Sequence, residues 1–317
     1  MGWIKLERLT RLPKLIALGF FAVLAVVAAS SVASAQQGTG LRVSPPRFEI
    51  QGDPGQVIAQ EIVVSNQGQS PLPITMTAAG FGAAGTTGNP QLDETITTGV
   101  VAWTSISPKN FVLPAGESQT VTYIIEIPEN APPGGHYLTI LAAISSGSSE
   151  GGTGITVGQR VGSLVLLSVS GDVVEKLEVS QFSAPSLAAK GPIDLSLLVK
   201  NSGNVHLRPI GKITIKSMLG GDPVELIIEP QNVLPNSERE FKATWDVGWK
   251  IGRYTAEYSA LYGDSNAEVV RTASIIIFPW PIFLPIFVVF FGFAFLIFLA
   301  RKRLARTFRV LIKGEVT

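Results

Sequence analysis

A run of 20 residues, Pro281 to Ala300, carries no charged or polar side chain. That is the length a helix needs to cross a hydrocarbon layer of about 30 Å. Nothing between residues 40 and 277 reads as a set of helices that could cover it, so burial in a protein core is the weaker reading. Trp280 stands where an interfacial aromatic belongs, and Arg301, Lys302 and Arg303 follow the run. They open a tail, 301–317, with six basic residues and one acid. A basic flank of this kind marks the cytoplasmic side, and contact with anionic headgroups is its second reading. Pro279, Pro281 and Pro285 crowd the start of the run, where a first helical turn tolerates a missing N–H. Pro285 marks either the start of regular helix or a slight kink.

The other end of the chain agrees. Lys5, Arg8, Arg11 and Lys14 precede an uncharged stretch, Leu15 to Ala29, and Ala33-Ser34-Ala35 has the small-x-small pattern of a signal-peptidase site. Residues 1–35 read as a signal peptide cleaved between Ala35 and Gln36, with an uncleaved anchor helix as the alternative. The expected topology is single-pass type I, N-terminus outside, with the ectodomain extracellular or periplasmic.

Net charge is +1 overall, but the leader holds +3 and the tail +5, which leaves the segment between them at −7. An acidic exterior argues against nucleic acid as a partner. There is no cysteine, which removes disulfides, thiol nucleophiles and thiolate metal sites. An exterior of about 240 residues must therefore fold on its hydrophobic cores alone, and it is long enough for two domains.

Short period-2 runs fill that exterior. Leu72, Ile74, Met76 and Ala78 alternate with Pro73, Thr75 and Thr77; Val121, Tyr123, Ile125 and Ile127 alternate with Thr120, Thr122, Ile124 and Glu126. Such runs, broken by Gly, Pro, Asn and Asp, predict antiparallel sandwiches with one buried face per sheet. Three signals recur in order. Val63-Val64-Ser65-Asn66-x-Gly68 resembles Leu198-Val199-Lys200-Asn201-x-Gly203. Val112-Leu113-Pro114 with Glu117 resembles Val233-Leu234-Pro235 with Glu238, and Gly135-x-Tyr137 resembles Gly252-x-Tyr254. The offsets, 135, 121 and 117 residues, place 14 extra residues in the first copy, at the Gly/Thr-rich stretch Gly80–Pro90, read as a loop insertion. Asn-x-Gly reads as a turn whose residues tolerate positive φ.

The expected fold class is all-β: two immunoglobulin-like β-sandwich domains in tandem, followed by one transmembrane α-helix. The segments are 36–172 for the first sandwich, 173–277 for the second, 278–300 for the helix and 301–317 for the tail. Ser145 to Gly154 is linker-like in composition, and a domain break there is the alternative to one near Gly171-Asp172.

The stretch Trp103–Val121, with Pro108, Phe111, Pro114 and Glu117, and the opening Val43-Ser44-Pro45-Pro46-Arg47-Phe48-Glu49-Ile50 resemble immunoglobulin-type bacterial surface and periplasmic domains. The layout is similar to that of the WxL-interacting-protein family, which would imply a first domain on peptidoglycan and a second on a protein partner. A weaker resemblance is to periplasmic pilus chaperones and adhesion-related sandwiches. Of the basic pair with which those chaperones clamp a subunit's carboxylate, Arg42 or Arg47 matches one half by position.

Sites of chemistry are sparse. His136 and His206 stand alone, read as exposed strand-end residues, and no His/Cys ligand spacing occurs. No Gly-x-Ser-x-Gly elbow or phosphate-binding Gly loop is present. Asp93-Glu94 beside the inserted stretch is a candidate for part of a calcium site. Trp103, Tyr123, Tyr137, Tyr254 and Tyr258 read as core, whereas Phe81 and Trp249 are the candidates for an exposed contact surface. No catalytic residue, metal or cofactor is assigned. The leading expectation is a non-enzymatic envelope protein that binds cell-wall glycan or another envelope protein. A membrane-tethered assembly factor acting by strand addition is second, and an envelope hydrolase third.

Overall fold

The computed structural model describes residues 40–145 and 159–313, with side chains as far as Arg301. The leader with its Ala35–Gln36 cleavage point, the Ser/Gly run from 146 and the side chains of Lys302 and Arg303 lie outside the described residues.

Alternation becomes two β-sandwiches. The first is built from β1 (Leu41–Ser44), β2 (Arg47–Gly52), β3 (Val57–Asn66), β4 (Leu72–Ala84), β5 (Asn89–Asp93), β6 (Thr104–Ser107), β7 (Asn110–Leu113), β8 (Ser118–Glu126), β9 (Gly134–Ile144) and β10 (Arg160–Val169). One sheet runs β1-β3-β8-β6; the other runs β2-β10-β9-β4-β5, with β7 also on β4. The chain changes sheet at Pro45-Pro46: β1 is antiparallel to β3, and β2 is parallel to β10. Val121, Tyr123 and Ile125 of β8 are wholly buried against Ile140 and Leu138 of β9 and Leu167 of β10 in one core.

The second sandwich holds β11 (Leu177–Ser183), β12 (Leu187–Ala188), β13 (Ile193–Asn201), β14 (Ile210–Ser217), β15 (Val224–Ile228), β16 (Glu238–Trp245), β17 (Gly252–Tyr262) and β18 (Ala267–Ile277). Its sheets run β11-β13-β16 and β12-β18-β17-β14-β15. Leu195, Leu197 and Val199 of β13 are wholly buried, and Trp245 meets Tyr254 edge-on at 5.0 Å.

The repeated Asn-x-Gly proves to be more than a turn. Asn66 and Asn201 each end a strand and are 1% and 0% exposed. Asn66 Nδ2 donates to the carbonyls of Ser70 (2.8 Å) and Leu113 (3.0 Å), and its Oδ1 accepts from Gly68 N–H (2.9 Å). Asn201 repeats the set with Val205 (2.8 Å), Val233 (2.9 Å) and Gly203 N–H (2.9 Å). The first and second repeat signals are thus tied together by one buried amide in each sandwich. Neither Gly68 nor Gly203 has positive φ. Gly203 is needed because a Cβ there would collide with the Val174 carbonyl.

Two further expectations are corrected. The Gly/Thr-rich stretch is no loop; it extends β4 into a hairpin with β5, turning at residues 85–88. Phe81 lies inside that hairpin, is 7% exposed and sits 5.8 Å from the Tyr137 ring. It is therefore unavailable as a contact residue. Glycine at 80 serves packing, since Ile96 lies 3.0 Å from where a Cβ would be.

After β18 comes α1 (Trp280–Lys313), 34 residues and about 51 Å long. Its segment Trp280–Arg301 has a mean hydropathy of 2.9 and no part buried within the protein, so it is long and apolar enough to cross a membrane. Pro285 lies inside it, where its missing N–H leaves the Pro281 carbonyl without its helical donor.

Candidate functional site

Strand β10 is paired with β9 along its whole length, from Arg160 to Val169, but with β2 only from Leu164 onward. Leu164 N–H donates outward to the Pro46 carbonyl (3.0 Å), whereas the Gln159 carbonyl accepts from Ile144 of β9 (3.1 Å). Backbone groups alternate sides along a strand, so the N–H and C=O of Arg160 and Gly162 point the same way as those of Leu164. No strand among the described residues meets them there. This edge, open among the described residues over Arg160–Gly162 and closed at Ser163, whose hydroxyl donates to the Pro45 carbonyl (2.7 Å), is a template for an added strand. The Arg160 side chain leans aside onto Glu94, and Arg47 stands where β2 takes over the pairing.

The second feature is the joint between the sandwiches. Phe48 and Ile50 of β2 pack on the first core, which turns Arg47 and Glu49 outward. Glu49 accepts from Asn232 Nδ2 (2.8 Å) and lies 3.2 Å from Arg47 Nε; Arg239 donates to the Asn232 carbonyl (2.7 Å). Asn204 is a hub: its carbonyl accepts from Gly135 N–H (2.7 Å), its Oδ1 from Val174 N–H (2.7 Å), and its Nδ2 donates to the carbonyls of Asp172 (3.1 Å) and Pro133 (3.3 Å). The hairpin tip reaches across as well, for Thr86 O accepts from Glu240 N–H on edge strand β16 (2.7 Å).

Both histidines differ from the exposed residues expected, being half-buried. His136 stacks on Trp103 at 4.9 Å, and His206 Nδ1 lies 3.3 Å from the Tyr137 hydroxyl at the joint. Burial holds the His206 pKa below the usual imidazole range; Glu49 partly opposes this and Arg47 adds to it. Burial also pushes the Tyr137 phenol well up.

A cleft of about 1230 Å³ opens beside the joint, with Glu49, Asp53, Glu175, His206, Arg208 and Asp264 on its walls. Three of these four carboxylates have structural tasks: Glu49 holds Asn232, Asp53 accepts from Ser170, and Glu175 accepts from the backbone of Asp264. Among the described residues no group of three His, Asp or Glu is placed to hold a metal. Asp93 accepts from the N–H and hydroxyl of Thr95, which lowers its pKa, and Glu94 pairs with Arg160; among the described residues no third acidic or histidine side chain joins them.

Of the residues singled out in the sequence, Tyr123, Tyr254 and Tyr258 are buried, Trp103 packs partly on the first core, and Arg42 is exposed on β1. Trp249 is 56% exposed, with Lys190 Nζ 5.5 Å over its ring, and Trp280 opens α1 at 51% exposure. Asn204, Asn232, Arg239 and Thr86 were not singled out. For Asn204 a signal existed: the first copy has Gln69 at the matching place, and the departure marks the residue that faces the other sandwich.

Fold and surfaces define a class: two tandem immunoglobulin-like sandwiches, an open strand edge on the first, and one apolar C-terminal helix after the second. No family model and no curated protein matches the chain, so the WxL-interacting-protein resemblance, drawn from the layout of segments, finds no support. Among solved structures the chain is similar to the class 5 fimbriae chaperone CfaA: 15% identity, 74% of this chain and 99% of that chain covered, TM-score 0.40. It is also similar to the E. coli chaperone DraB (12%, 75% and 98%, TM-score 0.37). A third is the CsuC–CsuE chaperone–tip adhesion subunit pre-assembly complex of Acinetobacter baumannii (15%, 63% and 89%, TM-score 0.35). At these scores the likeness decides neither family nor activity.

Proposed function

We propose that this chain is a membrane-tethered, non-enzymatic assembly factor of the bacterial envelope, with its two sandwiches at 36–172 and 173–277 outside the membrane. It holds an extended segment of another envelope protein by taking it up as a strand. The observation that carries this reading is the edge of β10 at Arg160–Gly162, which no described strand pairs. A segment entering in line with β2 and parallel to β10 has its carboxyl end directed at Pro45-Pro46, with Arg47, a half-exposed guanidinium 3.2 Å from Glu49, just beyond. The solved structures it is similar to include a fimbriae chaperone and a chaperone in a pre-assembly complex with a tip adhesion subunit. Nothing favours glycan binding: Phe81 is buried, and Lys190 covers one face of Trp249.

The test is Arg160→Pro against Arg160→Ala in cells, with cross-linking followed by recovery of the complex. Proline removes an outward N–H and crowds the edge, whereas alanine removes only the exposed pair with Glu94. The expected result is a loss of about fivefold or more with proline, little change with alanine, and an unaltered circular dichroism spectrum in both. Equal recovery from the two variants would sink the strand-addition reading.

A further inference from the structure

Four large apolar side chains stand exposed at one end of the second sandwich: Met218 (67%), Leu219 (81%), Trp249 (56%) and Ile251 (54%). They lie on two separate loops, yet the register brings both to one place. Gly252, at the start of β17, pairs with Ile277, the last residue of β18. Ser217, at the end of β14, pairs with Tyr254, and Met218 N–H donates to the Arg253 carbonyl (2.9 Å). Gly191 N–H donates to Gly248 O (2.9 Å), which brings Lys190 alongside Trp249. This is the end from which the chain leaves for α1.

The distance from that end to the apolar helix is fixed by very little chain. Phe278 N–H still donates to Ala188 O (2.9 Å), so the sheet's hydrogen bonding continues one residue past β18. The helix begins at Trp280, and the Phe278 ring stacks on Phe283 at 5.2 Å. Only Pro279 lies between. Three residues from Ile277 to Trp280 span at most about 11 Å. The headgroup layer of a bilayer is itself about 5–8 Å deep on each side. With α1 across a membrane, this short tie holds the loop end of the sandwich within about 11 Å of the apolar layer, at the height of the headgroups.

We infer that the Met218-Leu219 and Trp249–Ile251 loops insert into the lipid headgroup layer, so that the second sandwich sits on the membrane instead of standing above it. An exposed tryptophan with a lysine over one face of its ring suits that layer, where an apolar body and a charged tip are both satisfied. Asp222 and Asp246 on the same loops offset Lys190 and Lys250. The contact is therefore carried by apolar side chains, and a zwitterionic surface suffices. The inference needs α1 to span the bilayer but is independent of strand addition at β10.

Absence of cysteine in the whole chain makes the test clean. Full-length Leu219→Cys, Trp249→Cys, Val112→Cys and Phe290→Cys would each carry an environment-sensitive fluorophore, in phosphatidylcholine nanodiscs with and without acyl-brominated lipid. Val112 is 66% exposed on the first sandwich, and Phe290 lies in the helix. Quenching of about twofold at 219, 249 and 290, with none at 112, is expected. No quenching at 219 and 249 while 290 is quenched overturns the inference and leaves the span standing. No quenching at 290 removes the span and the inference together. Because Trp249→Cys also deletes the lysine contact, Ile251→Cys serves as a second probe of that loop and must agree with it.

Discussion

Replacing Asn201 tests the idea that one buried amide ties each sandwich together. Asn201→Ala strips partners from the Val205 and Val233 carbonyls and from Gly203 N–H, all in a region closed to water. At about 1 kcal/mol for each hydrogen bond lost, the cost is about 3 kcal/mol. For a sandwich of roughly a hundred residues that lowers the melting temperature by about 12 °C or more. Asn201→Asp is the sharper variant. It keeps the shape and the acceptor for Gly203 N–H but turns a donor facing two carbonyls into an acceptor. It should cost at least as much as alanine at neutral pH. Scanning calorimetry of the full-length protein in nanodiscs reads both. A shift under about 4 °C for alanine, or an aspartate variant more stable than alanine, would refute the clamp.

Gly203→Ala should destabilise by about 1–3 kcal/mol, because the new methyl meets the Val174 carbonyl; urea midpoints measure it. His206 gives a pH dependence of known sign. Its native pKa lies below the unfolded value near 6.5, so the unfolded chain takes up more protons in between. Stability should hold above about pH 6.5 and fall as pH drops through the window down to the lowered native value. His206→Gln should flatten that fall in pH-resolved thermal scans. Deleting the hairpin tip 85–88 removes the Thr86–Glu240 bond and should broaden the distance distribution between spin labels on the two sandwiches, read by pulsed electron resonance.

Strand content was plain in the sequence because it is local. Val121, Tyr123, Ile125 and Ile127 announce a face by alternation, and all four are buried. Phe81 was misread because glycine at 80 and 82 mimics loop composition. There Gly80 makes room for Ile96, a residue well along the chain, and no local pattern reports that. The Asn-x-Gly repeats pointed to the right residues but to only part of their role. A turn and a buried clamp use the same three letters, and only the distant Leu113 and Val233 carbonyls separate them. The open edge on β10 was illegible for a related reason. It depends on where β2 stops pairing, and that is set by Pro45-Pro46 more than a hundred residues upstream.

The tie between Phe278 N–H and Ala188 O leaves only Pro279 between the second sandwich and its helix. Turning the helix about its own axis turns the whole exterior with it. Under the proposed membrane span, the compass bearing of the β10 edge in the membrane plane would follow from whichever helix face packed against a neighbouring membrane protein. A neighbour that never touches the sandwiches would thereby decide the side from which an incoming segment must arrive.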